Sequence, residues 1–127
     1  KRDRIPRGIT KKISELEQET EKYFGMQVIL GIDYGGREEL LRAINEAVSM
    51  GELVDEGTFK KLLYTADLPE PDLIIRTGGE RRLSGYMPFQ SVHSEIIFSD
   101  KLFPDYTPED LKKSIKEFEN RKRRFGK

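Results

Sequence analysis

Cysteine is absent from the 127 residues, and no apolar run approaches the length of about 18 residues that spans a bilayer. The absence of cysteine excludes disulfide bonds, zinc–thiolate sites and a thiol nucleophile. The N-terminal residues do not follow the signal-peptide pattern. These absences predict a soluble, cytoplasmic protein.

The chain also lacks a net charge, because 23 Lys and Arg residues balance 23 Asp and Glu residues. This balance excludes a domain that is held to its partner by bulk charge. It disfavours a nucleic-acid binder that uses its basic ends, and we expect no nucleic-acid partner. The length suits one ordinary domain with a core that needs no disulfide or metal.

An initiating Met is missing as well, since the sequence begins at Lys1 with a basic stretch and stops at Lys127. A natural chain rarely starts without Met. We therefore expect a fragment of something longer.

Hydrophobic periodicity predicts four helices and three short strands. Strands that alternate with helices indicate an α/β fold, with a mainly parallel sheet covered by helices on both faces. Three strands make a small sheet for that design, which suggests that part of the sheet lies outside this chain. The predicted helices are 10–24, 37–50, 55–65 and one that starts at Thr107, and the predicted strands are 26–32, 73–76 and 95–98.

Capping residues and apolar stripes support two of these helices. Gly51 is expected to stop the helix 37–50. Thr107 is expected to cap the last helix, with Pro108 at the first position and an acid at the third. The predicted buried stripes are Leu40, Leu41, Ile44, Ala47 and Val48 in the first of them, and Leu111, Ile115 and Phe118 in the other.

Two strands are each followed by a pair of glycines, in the segments 32–37 (IDYGGR) and 75–82 (IRTGGERR). Ligands of parallel sheets bind beyond the carboxyl ends of the strands. Paired glycines let a backbone approach an anion and point its N–H groups inward. The same pattern is also a common surface turn, and neither segment matches a nucleotide-binding motif.

The nine residues 76–84 contain three arginines, Arg76, Arg81 and Arg82, and the hydroxyl of Ser84. Guanidinium groups match phosphate oxygens geometrically and stay charged. Glu95 opens the next strand and could hold Mg²⁺, which proteins bind through one or two carboxylates plus substrate phosphates. The chemistry favours a diphosphate and Mg²⁺ site, and a solvated charge cluster is the alternative. Glu80 is expected to form an ion pair with a neighbouring arginine.

Residues 72–84 (DLIIRTGGERRLS) resemble the signature of the cis-prenyltransferases, the undecaprenyl and dehydrodolichyl diphosphate synthases. Four further segments resemble this family in the same order, namely 34–37 (YGGR), 89–98 (FQSVHSEIIF), 103–106 (FPDY) and 123–126 (RRFG). The resemblance covers residues 26–126.

The resemblance implies an enzyme that condenses isopentenyl diphosphate onto an allylic diphosphate, with Mg²⁺ as cofactor. It implies that Arg76, Arg82 and Ser84 bind isopentenyl diphosphate and that Glu95 helps to hold Mg²⁺. Arg124 and Gly126 would belong to an Arg-x-Gly motif that reaches the diphosphate across a homodimer interface. The product would be a polyprenyl diphosphate, a lipid glycan carrier precursor, handed to a membrane at which the protein acts peripherally.

Several departures from the family pattern bear on catalysis. The Met-Asp-Gly-Asn-Gly-Arg-Trp loop with the catalytic Asp is absent, so the sequence contains no catalytic residue of that motif. The resemblance therefore implies that residues 1–127 are the C-terminal portion of a single cis-prenyltransferase domain, inactive alone. Arg81 stands where bacterial members often have His, Phe89 replaces Trp, and Asp33 replaces Asn.

A non-catalytic partner subunit of a two-subunit prenyltransferase is the alternative function. Such subunits keep the Arg-x-Gly end and lack the catalytic Asp, as this chain does. They usually lose the Arg-Thr-Gly-Gly-Glu-x-Arg-x-Ser motif, which this chain retains. Trans-prenyltransferases are excluded because the sequence has no DDxxD cluster and is not all-helical.

Overall fold

A computed structural model describes residues 4–121 of the chain. The chain divides between Tyr34 and Gly35 into two compact units. The first unit holds helix α1 (Arg7–Thr20). The second unit holds α2 (Gly36–Met50), α3 (Glu56–Lys61), β1 (Leu73–Arg76), β2 (Glu95–Phe98), a 3₁₀ turn (Phe103–Asp105) and α4 (Pro108–Asn120).

Helix α1 differs from the predicted helix 10–24 at both ends. It begins at Arg7 because the carbonyl of Pro6 accepts the N–H groups of Ile9 and Thr10, at 2.9 and 3.1 Å. Proline fits immediately before a helix, since its missing N–H is not needed there. The helix ends at Thr20, several residues before Gly25, and none of its residues is buried.

The apolar segment 26–32 was predicted to be a buried strand, and this prediction is wrong. The segment forms no strand, and Met26, Val28 and Leu30 are each at least three-quarters exposed. An isolated extended segment is not stable, because its N–H and C=O groups need a partner strand. Within residues 4–34 no second extended segment provides one.

The described sheet contains two strands where three were predicted. β1 and β2 pair in parallel, with Leu73 opposite Glu95 and Arg76 opposite Phe98. Hydrogen bonds from Glu95 N to Asp72 O and from Ser99 N to Arg76 O, at 2.9 and 2.8 Å, extend the pairing at both ends. The structure confirms the predicted bounds of both strands, 73–76 and 95–98, and the predicted parallel α/β class.

The helices of the second unit follow the sequence signals at most of their ends. α2 ends at Met50 and is capped by Gly51, which has a φ of 71° that glycine adopts without strain. α3 begins after Asp55, whose carboxylate accepts the N–H of Thr58. α3 is shorter than predicted, since the N–H groups of Leu62 and Leu63 bond three residues back and tighten the chain into a turn.

The last helix, α4, carries the complete capping box that the sequence predicts. Thr107 Oγ1 accepts the N–H of Asp110, and the Asp110 carboxylate accepts the N–H of Thr107. Lys101 Nζ lies 2.7 Å from the same carboxylate. Thr107 and Asp110 therefore fix the first turn, as expected for a capping box.

The buried faces of α2 and α4 differ from the predicted stripes. α2 buries a stripe of mostly small residues, and the bulky predicted residues Leu41, Ile44 and Val48 are exposed. On α4 only Ser114 is buried, while Leu111 and Ile115 are 44% and 42% exposed. Small side chains form the buried face of α2 because they allow the closest approach of the neighbouring backbone. The buried hydrophobic residues among those described are Ala43, Ala47, Leu63, Ile74 and Ile97.

Candidate functional site

Arg76 is the last residue of β1 and lies at the carboxyl end of the strand pair. Its carbonyl accepts the N–H of Ser99, which fixes the backbone at this point. The Nε atom of Arg76 is buried and has no hydrogen-bond partner among the described residues. A buried guanidinium N–H requires an acceptor, so this arginine is suited to bind an anion at the end of the sheet.

The backbone of the glycine turn at 78–79 is hydrogen-bonded to a neighbouring loop. Gly78 and Gly79 have φ values of 93° and 75°, which favour glycine. Their N–H groups donate to the carbonyls of Lys101 and Ser99, at 2.7 and 2.9 Å. The expectation that these N–H groups point at an anion is therefore wrong, because the loop 99–101 already accepts them.

Arg81, Arg82 and Ser84 lie in the exposed loop after this turn. Arg82 forms an ion pair with Glu80, which confirms the role expected for Glu80. Ser84 has a φ of 51°, in the left-handed region that non-glycine residues seldom adopt. The loop thus presents two guanidinium groups and one hydroxyl to solvent, on a backbone held in an unfavourable conformation.

The N-terminus of α2 packs directly against this loop. Gly36 N donates to Gly85 O at 3.1 Å. A Cβ atom on Gly36 would lie 2.2 Å from that oxygen and 2.3 Å from Cδ of Pro88. Gly36, of the glycine pair at 35–36, therefore serves the close packing of α2 against residues 85–88.

One buried polar cluster was missed by the sequence reasoning. Glu39 is fully buried in α2, where its Oε1 accepts the N–H of Tyr64 at 2.7 Å and its Oε2 accepts Nε2 of Gln90 at 3.1 Å. Gln90 Nε2 also lies 3.0 Å from Thr65 Oγ1. The signal that could have revealed Glu39 is its place between Gly36 and Ala43, on the small-residue stripe of the helix.

Glu95 lies at the other end of the sheet from Arg76. It opens β2, and its Oε2 is 2.9 Å from an Arg121 guanidinium nitrogen that also donates to the carbonyl of Ile96 at 3.1 Å. The other terminal nitrogen of Arg121 lies 2.5 Å from the Glu117 carboxylate. The bonds to Glu117 and then to Glu95 raise the pKa of Arg121 above its ordinary value, so this guanidinium stays charged.

The described residues offer few side-chain ligands for Mg²⁺. No group of three or more His, Cys, Asp or Glu side chains within residues 4–121 could hold a metal ion. The Glu95 carboxylate is already paired with Arg121. The described residues therefore do not form a magnesium site by themselves.

The structure thus brings the residues of one loop together and separates them from Glu95. Arg82 and Ser84 follow Arg76 within the same strand and loop. Arg124 and Gly126 lie outside the described residues. None of the helices in residues 4–121 is long and apolar enough to cross a membrane.

Comparison with known proteins defines the class of this α/β chain. The prenyltransferase family model, described as undecaprenyl diphosphate synthase, matches residues 1–126. The chain therefore belongs to the undecaprenyl diphosphate synthase family of prenyltransferases. This family is the one that the motifs in 72–84 and 89–98 indicate.

Individual relatives show how much of the protein this chain represents. It is 41% identical to an isoprenyl transferase of Thermotoga maritima, over 99% of this chain and 56% of that protein. It is 40% identical to a tritrans,polycis-undecaprenyl-diphosphate synthase (geranylgeranyl-diphosphate specific) of Methanopyrus kandleri, over 97% of this chain and 48% of that protein. The chain spans about half the length of the curated relatives it matches.

A solved structure shares the fold. Lavandulyl diphosphate synthase from Lavandula x intermedia, in complex with dimethylallyl diphosphate, superposes with a TM-score of 0.91 and 37% identity. The match covers 99% of this chain and 57% of that one.

Proposed function

We propose that this chain is the isopentenyl diphosphate-binding portion of a cis-prenyltransferase, which elongates an allylic diphosphate into a polyprenyl diphosphate. The main support is Arg76, whose buried Nε has no acceptor among the described residues and which stands where strand β1 ends. Family membership and the names of the relatives support the reaction class.

Arg76, Arg82 and Ser84 bind the diphosphate of isopentenyl diphosphate in this proposal. The guanidinium groups neutralise its charge, and the Ser84 hydroxyl donates one hydrogen bond. Arg124 and Gly126 complete the site from a second copy of the chain, in a homodimer. In the reaction, a carbon–carbon bond forms between the allylic carbon and isopentenyl diphosphate. The bond from that allylic carbon to its diphosphate group breaks, inorganic diphosphate leaves, and the isopentenyl unit loses a proton.

Glu95 is the carboxylate that this chain offers to Mg²⁺ in the proposal. Proteins usually hold Mg²⁺ through one or two carboxylates, with substrate phosphates and several waters as the other ligands, so Glu95 would supply one carboxylate. The sequence contains no Met-Asp-Gly motif, so we expect residues 1–127 alone to be inactive and to form the C-terminal portion of the catalytic domain. We expect a cytoplasmic enzyme that delivers its lipid product to a membrane.

The test is an elongation assay of the full-length protein with labelled isopentenyl diphosphate, an allylic primer and Mg²⁺. Arg82→Ala should raise the KM for isopentenyl diphosphate about tenfold or more, because a charge-assisted contact is lost. Glu80→Gln is the matched control, since it removes the Arg82 ion pair and leaves the arginine; an exposed pair contributes little, so KM should change less than about fivefold.

Glu95→Ala should instead lower kcat and raise the Mg²⁺ concentration that is needed. If no primer is elongated, the reaction class is wrong. If wild type is active and the Arg82 and Glu95 variants match it, the site assignment is wrong. Activity that appears only when the chain is combined with a second, catalytic subunit would favour the partner-subunit alternative.

A further inference from the structure

The amide of Gln90 is held in one orientation inside the second unit. The residue is 4% exposed, and its Nε2 lies 3.1 Å from Glu39 Oε2 and 3.0 Å from Thr65 Oγ1. The reversed amide would place an oxygen against the Glu39 carboxylate. Gln90 Oε1 is buried without a hydrogen-bond partner among the described residues. The amide orientation therefore gives Glu39 its hydrogen bond and leaves the amide oxygen without one.

Glu39, the acceptor of this hydrogen bond, is held in place by burial and by a second hydrogen bond. Glu39 has no exposed surface, and its second oxygen accepts the backbone N–H of Tyr64 at 2.7 Å. Hydrogen bonds to a charged acceptor are about twice as strong as those between neutral groups. The carboxylate therefore joins three parts of the chain, namely α2, the residues after α3, and Gln90.

Gln90 ends a segment whose conformation needs support. Ser84 and Met87 have φ values of 51° and 45°, both in the left-handed region. Non-glycine residues keep such a conformation only where the surroundings impose it. Two contacts impose it from α2, because Gly36 N binds Gly85 O in the first turn and Glu39 binds Gln90 one turn later.

We propose that Gln90 is a positioning residue for isopentenyl diphosphate binding, which acts through its hydrogen bond to Glu39 by holding the segment 84–90 in the conformation that presents Ser84. The proposal rests on the proposed function of Ser84 and its neighbours. Gln90 is buried and does not touch the substrate in this arrangement, so its effect reaches the diphosphate only through the loop.

The test is a reversal of the hydrogen bond in the full-length enzyme. Gln90→Glu places two carboxylates against each other and breaks the contact. The double variant Glu39→Gln with Gln90→Glu restores it in the opposite direction, because the new amide at 39 can still accept from Tyr64 N and donate to the carboxylate at 90. The Thr65 hydroxyl can then donate to that carboxylate.

The expected result is a KM for isopentenyl diphosphate that rises about fivefold or more in Gln90→Glu, with the KM for the allylic diphosphate and kcat unchanged, and that returns to near wild type in the double variant. Gln90→Met removes the hydrogen bond without adding a charge and should give the same KM effect. It replaces Gln90→Glu as the test if that variant does not fold.

Tyr106→Phe is the control for a loss of stability alone. It removes a partly buried hydrogen bond between Tyr106 and Ser114 Oγ, 2.7 Å long, away from the loop. It should lower the melting temperature and leave both KM values unchanged.

Three results would overturn the proposal. The first is a KM for isopentenyl diphosphate that stays at the wild-type value when Gln90 is changed. The second is a raised KM that the double variant does not restore, and the third is a KM that rises equally in Tyr106→Phe. A wild-type protein that elongates no primer would instead remove the proposed function, and this proposal with it.

Discussion

Arg76 and Glu95 lie at opposite ends and on opposite faces of the two-stranded sheet. Arg76 is opposite Phe98 and Glu95 is opposite Leu73. Leu73 and Arg76 are three positions apart in β1, so the two residue pairs lie about 10 Å apart along the strands. Successive side chains of a strand point to opposite faces of the sheet, so an offset of three positions changes the face. The two side chains of one chain therefore cannot hold the same diphosphate with its metal ion.

Subunit complementation follows from this separation. If Arg76 and Glu95 serve one substrate, they come from different copies of the chain. Arg76→Ala and Glu95→Ala should each have strongly reduced activity in the proposed homodimer. An equal mixture of the two, co-expressed so that subunits exchange, should recover up to about a quarter of wild-type activity, since half of the dimers then contain one intact site out of two.

The measurement is the elongation rate of the co-expressed mixture, with the two separately purified variants as controls. A mixture that stays as inactive as its parents would contradict the arrangement across two copies.

Gly36→Ala should destabilise the second unit strongly. The added methyl group would overlap Gly85 O and Pro88 Cδ, neither of which is the end of a flexible side chain. Overpacking of this kind costs on the order of 1–3 kcal/mol. Urea unfolding of the variant measures this cost.

The neighbouring variant Gly35→Ala is the matched control. Gly35 has a φ of −134°, and its Cβ would meet only Glu38 Cβ, at 3.9 Å. We expect its unfolding free energy to stay within about 0.5 kcal/mol of wild type. Equal losses in the two variants would show that the contact with the loop 85–88 is not the cause.

Acid should release the first turn of α4. The Lys101 ammonium, followed by the N–H and hydroxyl of Thr107, holds the pKa of Asp110 well below its ordinary value. A lowered pKa means that the carboxylate stabilises the fold above the ordinary carboxyl range, and that this contribution is lost as pH falls through the lowered value. Asp110→Asn should therefore be less stable than wild type at neutral pH, and the difference should shrink below about pH 4.

Unfolding curves over a series of pH values provide this measurement. Glu109→Gln is the control, since Glu109 lies in the same turn and takes no part in the capping box. A stability difference for Asp110→Asn that is independent of pH would contradict the assignment.

Glu95 and Glu117 should contribute unequally to stability, although both bind Arg121. Glu95 is 30% exposed and joins β2 to the end of α4, whereas Glu117 is 55% exposed and lies on the same helix as Arg121. Exposed ion pairs contribute about 0–1 kcal/mol. We expect Glu95→Gln to lower the unfolding free energy more than Glu117→Gln, as measured by chemical denaturation, and the reverse order would contradict the role of the Glu95 pair in joining strand and helix.

Local signals predicted the elements whose causes are local. The strands 73–76 and 95–98 and the capping box at Thr107 were all predicted from residues within one turn or strand of each other. The segment 26–32 has an equally strong strand pattern, but a strand also depends on a partner that its own residues do not specify. The wrong prediction there reflects that dependence.

The candidate site likewise contains residues that local sequence indicates and contacts that depend on distant residues. Motif resemblance indicated Arg76, Arg82 and Ser84, which are close in sequence. The contacts of Glu39 with Gln90 and of Glu95 with Arg121 span 51 and 26 residues, so no periodicity or spacing could reveal them. The bulky apolar residues of α2 do not mark its buried face, because close packing there requires small side chains.

The closed glycine turn at 78–79 has a consequence for selectivity. Since the loop 99–101 accepts both of its N–H groups, this turn has no backbone donors left for a phosphate group. Discrimination between a diphosphate and a monophosphate then depends on the number and spacing of guanidinium groups. Affinity that arises from exposed charges weakens as ionic strength rises, so substrate capture should be more sensitive to salt than it would be in a backbone-lined phosphate pocket.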